Sequence, residues 1–291
     1  MTAVFITGAG GGLGRKLIAR LLATDWCSRI VAADITPPTD LSDGRVTPVA
    51  GSLLHPDGPW RAAMAGCDAV VHLAAQNPHT DASWADAAAS IDMTLSVYDA
   101  AAEHGVGRVV FASSNHVMGG YKDAPLASPE PGFLTHEIDP APGTRWHTGR
   151  EMMDSTAYAA AKLTGERALV ALTRRVPAMT GINVRIGWVQ PGDNHPRTIN
   201  ISGDAVFDSA DEPQDADGRR DLSWYRNMWL SNRDFAELFA AALQAPAEGW
   251  PERCITVNGV SRNRGTGWDL AGAERFLGYR PQDDLYAALG L

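Results

Sequence analysis

Cysteine is scarce in this chain of 291 residues: Cys27, Cys67 and Cys254 are the only three, with no CxxC pair and no ligand-like spacing to histidine. That scarcity excludes a disulfide framework and a structural zinc site, and it predicts a reduced compartment. Basic residues are also short, 25 Lys and Arg against 34 Asp and Glu, and no basic block offsets the net charge of −9. A surface of that sign repels a phosphate backbone, so no nucleic-acid partner is expected. No apolar run reaches the length of a membrane span, which excludes a transmembrane helix. The opening "AVFITGAG" is strand-like and predicts a chain without a secretory leader, hence a cytoplasmic protein. What is present is ordinary for a globular chain, 45% hydrophobic and 20% charged residues. The length allows one large α/β domain or two small ones, and either buries a sizeable core.

The segment "AVFITGAGGGLGRKLIARLL" reads as a short buried strand, a glycine turn and an amphipathic helix. Gly8, Gly11 and Gly14 are spaced as TGxxGxxG. Glycines at such a turn let the backbone approach a pyrophosphate, and the helix N-terminus that follows offers free N–H groups and positive dipole. The bland alternative is a turn that merely joins strand to helix. Against it stands Asp34, which ends the next strand-like run, "RIVAAD", twenty residues after Gly14. An acid there can bond the ribose hydroxyls of a dinucleotide. Ile35, Thr36 and Pro37 follow it without an arginine. A 2′-phosphate would meet repulsion at that point, so the cofactor expected is NAD rather than NADP.

Strand-like runs recur at 45–50, 68–74, 107–113, 182–187 and 254–259, with helical patterns at 57–65, 82–104, 154–176 and 231–245. That alternation predicts an α/β fold, a doubly wound (Rossmann) parallel sheet with a small C-terminal substrate-binding region. Two short helices around a proline break are expected at the C-terminal end. Residues 119–153, rich in Pro and Gly, and residues 190–230, with the acidic stretch "SGDAVFDSADEPQDADGRRD", do not fit the alternation. Both read as long loops, the first a candidate pocket wall and the second either an insertion or a functional loop. "WLSNRDF" places Ser231 three residues before Asp234, a structural capping box.

In "DSTAYAAAKLTGE" Tyr158 and Lys162 stand one helical turn apart. By composition about 0.06 such pairs are expected by chance, so the pair needs its context. Either Lys162 pairs with Glu166 on a surface helix, or it acts on Tyr158.

As an ordered set, "TGAGGGLG", "VAAD", "VVHLAA", "FASSNHVMG" and "YAAAK" resemble the extended short-chain dehydrogenase/reductase (NAD-dependent epimerase/dehydratase) family. "FASSNHVMGGY", "NVRIGWVQPG" and "MWLSNRDF" are most similar to its uronate dehydrogenases. The resemblance implies a single domain over 1–291, with 1–189 mainly the NAD-binding core and 190–291 mainly substrate-binding elements. It implies Tyr158 as acid/base, Lys162 as its partner and Ser114 as the orienting hydroxyl. Gly8, Gly11, Gly12, Leu13, Gly14, Asp34, Leu53, Leu73, Ala74, Ala75 and Ser113, with Tyr158 and Lys162, would line the cofactor. Asn77, Ser114, Asn115, His116 and Arg185 would contact substrate, Arg185 as a fork on a carboxylate. For Arg185 a buried structural ion pair is the alternative, and for His116 a capping or core role. His72 is expected in the core; Trp224 and Trp229 either wall the pocket or pack. Ser52, Ser90 and Ser96 depart from residues common in the family. A dimer or larger homo-oligomer is implied.

The chemistry agrees with these roles. A tyrosine titrates near pH 10, so working as a base near pH 7 needs its phenolate stabilised by about 4 kcal/mol. A lysine one turn away and the positive nicotinamide of oxidised NAD have the correct sign. The expected reaction is oxidation of a hydroxyl of a small sugar acid, by hydride transfer. A nucleotide-sugar epimerase of the same family and a cofactor-sensing module without chemistry are the alternatives. Dehydratases carry an acidic pair where Asn115 and His116 stand, which disfavours that reaction.

Overall fold

In the computed structural model, which describes residues 2–77, 81–148, 150–201, 213 and 215–291, the apolar run "TAVFIT" forms β1 (Thr2–Thr7), an interior strand of a parallel sheet. Strands of such sheets are covered on both faces, so the run is apolar throughout instead of alternating. Val4 and Ile6 belong to one core layer and Phe5 to the other. The glycine turn leads into α1 (Gly12–Leu22), which buries Leu17, Ile18 and Leu21 on a single stripe. Then come β2 (Cys27–Asp34), β3 (Val46–Ala50), the short α2 (Pro59–Ala63) and β4 (Ala69–His72). The next unit is α3 (Trp84–Glu103) and β5 (Arg108–Ser114). A two-stranded antiparallel hairpin, β6 (Arg145–His147) and β7 (Met152–Asp154), precedes α4 (Thr156–Arg175) and β8 (Thr180–Ile186). The chain closes with α5 (Ala216–Asn227), α6 (Asn232–Gln244), β9 (Cys254–Gly259), α7 (Ala271–Leu277) and α8 (Leu285–Leu289).

The sheet has seven strands in the order β3-β2-β1-β4-β5-β8-β9, all parallel. Strand order reverses between β1 and β4, and in such sheets ligands settle at the strands' carboxyl ends beside that reversal. The doubly wound fold read from the alternation is therefore the fold observed. β9 lies beyond residue 189 yet forms one edge of this sheet, and α6 packs on α1.

Over the carboxyl ends of β5, β8 and β9 sits a third apolar cluster, with Val117, Met118, Trp146, Leu222, Tyr225, Trp229 and Trp268 at its centre. Much of it comes from the two segments read as loops. Residues Asn115–Lys122 wind as 3₁₀ turns, and β6–β7 supplies Trp146. α5 is a capped helix whose Asp215 accepts a hydrogen bond from Gly218 N at 2.6 Å. Most of the acidic stretch, residues 202–212 and 214, lies outside the described residues.

The capping box expected at Ser231 is half formed. Ser231 Oγ accepts from Asp234 N at 3.0 Å. The Asp234 carboxylate turns instead to Ser261 Oγ, Gln282 N and Asp283 N, tying α6 to the C-terminal segment. His72 is a satisfied core residue, held between Thr7 Oγ1 at 2.7 Å and Thr94 Oγ1 at 3.1 Å. Among the described residues no helix is long and apolar enough to cross a membrane.

Candidate active site

The glycine turn is built to close distances. Gly8 has φ +70°, a region that favours glycine, and packs on the chain after β4: a Cβ there would lie 2.9 Å from Ala74 N. At Gly14 a Cβ would stand 2.3 Å from Gly8 O, so helix and strand meet only because the side chain is missing. Gly12, the first residue of α1, has nothing within 4 Å of its Cβ direction, which leaves the helix N-terminus open. Leu73 N and Ala74 N both donate to Thr7 Oγ1 at 3.2 Å, so the ends of β1 and β4 are tied together, with Ala75 next in line. Leu53, just after β3, is buried in the same core cluster as Val31 and Ala33.

Asp34, at the end of β2, accepts from Gly10 N and Thr36 N, both at 2.9 Å. Two residues escaped the sequence reading here. Gly10 fits because a Cβ would stand 2.0 Å from Thr36 O. Arg15 donates from Nε to Gly10 O at 3.2 Å and pairs with Asp40 at 2.9 Å. The absence of an arginine after Asp34 therefore does not leave the region without a cation, although Asp40 neutralises the one present.

Tyr158 lies in the first turn of α4 and Lys162 one turn further, both beside the end of β5. Burial pushes the Tyr158 phenol up, and a hydrogen bond with the Ser114 hydroxyl opposes the rise. Lys162 Nζ donates to Ala112 O at 2.8 Å and stands 5.7 Å from the centre of the Tyr158 ring. Burial lowers its ammonium to about 8. Lys162 does not pair with Glu166; both side chains are buried, which rules out the surface-helix alternative. Glu166 is taken by Arg185, whose Nε and Nη2 donate to the two carboxylate oxygens at 2.9 and 2.8 Å.

That fork corrects the expectation for Arg185. In register with Ser113 on β5, it faces the layer that holds α4, whereas its neighbour Ile186 lines the cleft beside Ser114. Arg185 is a structural ion-pair residue and does not reach the site as a carboxylate clamp. Ser113 shares this fate: its hydroxyl donates to Glu166 Oε1 at 2.5 Å, so its side chain is turned from any dinucleotide. Strand alternation separates the two serines, as expected for consecutive residues.

The cleft, about 230 Å³, is lined by Leu13 from α1, Leu73 after β4, Ser114, Asn115, His116, Tyr158 and Lys162. Its far wall is aromatic: Trp146, Trp188 and Tyr225, with Met228. His116 Nδ1 lies 3.0 Å from Thr144 Oγ1 and 2.8 Å from Ser155 Oγ, and its ring meets Tyr158 edge-on at 5.9 Å. Burial lowers the imidazole to about 4, so it is neutral at ordinary pH. Thus His116 is both a packed residue and a lining one. Asn115 Oδ1 is buried with no hydrogen-bond partner. Asn77 (φ +41°) donates from its amide to Asp81 Oδ1 at 3.3 Å and does not line the cleft.

Trp224 and Trp229 are likewise not walls of this cleft. Trp229 Nε1 donates to Asn194 Oδ1 at 3.0 Å inside the third cluster, and Trp224 packs against Trp268 with the ring planes tilted by 58°. The walls come from Trp188, inside the segment "NVRIGWVQPG", and from Trp146 and Tyr225, which nothing in the sequence marked. Three-residue strands carry too few positions for alternation to register, and Tyr225 sits in a helix in which polar and charged residues outnumber apolar ones.

The family described as "NAD dependent epimerase/dehydratase family" matches residues 4–257 of the chain. The L-arabinose 1-dehydrogenase (NAD(P)(+)) of Haloferax volcanii is 30% identical over 290 residues, covering 98% of each chain. A uronate dehydrogenase of Agrobacterium fabrum is 27% identical, covering 99% of this chain and 87% of the other. Among solved structures, glucuronic acid dehydrogenase of Chromohalobacter salexigens superposes with a TM-score of 0.71 at 23% identity, over 100% of this chain and 88% of that one, a likeness of fold.

Proposed function

The chain belongs to the NAD dependent epimerase/dehydratase family, and from that footing we propose that it is an NAD-dependent dehydrogenase oxidising one hydroxyl of a small free sugar. The observation that carries this reading is that Leu13, just inside the glycine-turn helix, and Tyr158, bonded to Ser114, line one cleft. A cofactor held along the turn would reach the phenol there.

The residues present fit a dinucleotide. The α1 N-terminus is open at Gly12, the backbone of the turn is bare of side chains where it folds on itself, and Asp34 offers a carboxylate at the end of β2. Gly8, Gly11, Gly12, Gly14 and Asp34 would hold it, with Leu73, Ala74 and Ala75 alongside. The cofactor's contribution when bound is a ring that accepts hydride and carries positive charge in its oxidised form.

The chain's own part is proton transfer and orientation. Tyr158 takes the proton of the substrate hydroxyl while hydride leaves the same carbon, so the product is a carbonyl. Ser114 holds the phenol and the reacting oxygen in line. Lys162, anchored on Ala112 O and still protonated near neutral pH, supplies charge that favours the phenolate. Burial alone sets Tyr158 against ionising, so the phenol depends on those positive charges. His116 stays neutral and acts by placement.

Size and charge bear on the substrate. About 230 Å³ lies below the usual range for small-molecule sites, ~300–1,000 Å³, and favours a free sugar over a nucleotide sugar. With Arg185 withdrawn, Lys162 is the one Lys or Arg among the lining residues, and residues 202–212 carry none in the sequence. A carboxylate there would be buried with little compensation, so a neutral aldose is preferred to the sugar acid first expected.

The test is a panel of neutral aldoses, hexuronates, sugar phosphates and nucleotide sugars incubated with NAD and with NADP, following reduced cofactor. Net reduction of NAD by a neutral aldose is expected. Faster turnover of a hexuronate overturns the preference for a neutral substrate; a changed nucleotide sugar without net reduction favours an epimerase.

A further inference from the structure

α5 buries Gly218, Asp221, Leu222, Tyr225 and Arg226, positions that share one face of the helix. A carboxylate stands at the centre of that face, where packing alone would place an apolar residue. Lys122 meets it there: its Nζ lies 2.5 Å from Asp221 Oδ1, and the two side chains are 1% and 7% exposed. Two more exposed residues close a ring of alternating charge. Arg220 stands 3.5 Å from Asp221 and 3.0 Å from Asp123, and Asp123 stands 3.3 Å from Lys122.

The buried pair joins two walls of the cleft. Lys122 ends the run Asn115–Lys122, which begins with the lining residues Asn115 and His116 directly after Ser114. Asp221 lies one turn before Tyr225 and two turns before Met228, both part of the far wall. The carboxyl end of α5 is fixed separately, by neutral bonds. Asn227 O accepts from Asn263 Nδ2 at 3.1 Å and from Thr266 Oγ1 at 2.9 Å, and Met228 O accepts from Trp188 N at 2.9 Å. Resting on the reading of the site as a sugar dehydrogenase, we infer that Lys122 and Asp221 are positioning residues for the substrate. Their ion pair sets how far the Tyr225 wall stands from Ser114, Asn115 and His116.

Apolar contacts attract without direction, so an all-apolar face would let α5 roll or slide over the third cluster at little cost. A charged hydrogen bond has a length and an angle. A buried ion pair gives little net stability over apolar residues of similar volume, but a displaced partner is left uncompensated away from water, and that fixes register. The consequence falls on the cleft, where misplacing a substrate by about 1 Å can cost up to ~100-fold in rate.

The test compares wild type with the double variant Lys122→Met, Asp221→Leu, which removes both charges without stranding either. Asp221→Asn, which keeps the shape and loses one charge, is the second variant. Thermal melts, NADH binding followed by its fluorescence, and kcat and KM on the free sugar that wild type turns over best are measured for each. The double variant should melt near the wild-type temperature and bind NADH as wild type does. Its KM for the sugar should rise about tenfold while kcat stays within about threefold. Asp221→Asn should raise the same KM. Arg185→Met with Glu166→Leu is the control, a buried pair removed in the same way but turned from the cleft, and its KM should stay near wild type. If neither variant raises KM with NADH binding intact, or the control raises it equally, the pair is only structural. The inference is then overturned and the functional reading stands. If wild type reduces NAD with no free sugar, that reading falls and takes the inference with it.

Discussion

Arg185 grips Glu166 with a two-point fork, Nε to Oε1 at 2.9 Å and Nη2 to Oε2 at 2.8 Å, with both side chains about 4% exposed. Removing one partner of such a pair strands the other charge, at a cost of about 3–5 kcal/mol. Arg185→Ala should therefore show its loss in chemical denaturation, while KM of the folded fraction stays near wild type. Replacing both partners, Arg185→Met with Glu166→Leu, should recover much of the stability. A large rise in KM with unchanged stability would return Arg185 to the substrate.

Tyr158→Phe should keep the fold and NADH binding while kcat falls by roughly 10²–10⁴, the range for losing a positioned acid/base. Steady-state rates on the best free sugar decide it. Turnover at the wild-type level would leave the cofactor-sensing alternative standing.

The glycine turn offers a paired comparison. At Gly14 an added Cβ meets Gly8 O at 2.3 Å, so Gly14→Ala should lower the melting temperature and NAD affinity together. At Gly12 the Cβ has open space, so Gly12→Ala should melt like wild type and lose only NAD affinity. Calorimetric titration with NAD beside thermal melts separates the two. Unchanged affinity in Gly12→Ala would mean the cofactor does not approach the helix there.

If the dinucleotide lies along the glycine turn as proposed, Asp34 and the Arg15–Asp40 pair are the charges that would govern a preference for NAD over NADP. Asp34→Ser with Asp40→Asn removes two negative charges and frees Arg15 for a 2′-phosphate. The NAD to NADP ratio of kcat/KM should fall by about tenfold or more. If the ratio does not move, that cation and those carboxylates lie away from the adenosine ribose.

Two buried groups make stability depend on pH. The Lys162 ammonium releases its proton at about 8 in the folded state against an ordinary 10.5. Between those values the unfolded chain binds more protons, so stability rises with pH across that window, on the order of 3 kcal/mol. Lys162→Met should lack the rise. His116 is held near 4 against an ordinary 6.5, so its contribution is lost as pH falls from 6.5 towards 4. In consequence kcat/KM should show no limb near pH 6.5 from His116, which a pH–rate profile checks.

The sheet and the first half of the site were legible because their signals are local. β1 to α1 is a continuous apolar run, a glycine turn and a helical stripe in twenty residues. Helical spacing puts Tyr158 and Lys162 one turn apart, and the ordered motifs around them single the pair out. Arg185 was misplaced because a β-strand has two faces, and nothing in "NVRIG" says which face Glu166 will cover. Trp146 and Tyr225 were invisible for another reason. They meet across the third cluster from segments about eighty residues apart: the hairpin strands are three residues long, and the buried face of α5 (Gly218, Asp221, Leu222, Tyr225, Arg226) is too polar to read as an apolar stripe.

The hairpin that carries Trp146 runs straight into α4, with Ser155 as the joint between β7 and the helix that holds Tyr158. Ser155 also touches His116 and Thr144, so the aromatic wall and the proton-accepting phenol of the proposed reaction share one joint. Retargeting this protein to another sugar by swapping the hairpin alone would drag the phenol out of line. A transplant has to span residues 144–156 and keep Thr144, Ser155 and His116 as fixed points.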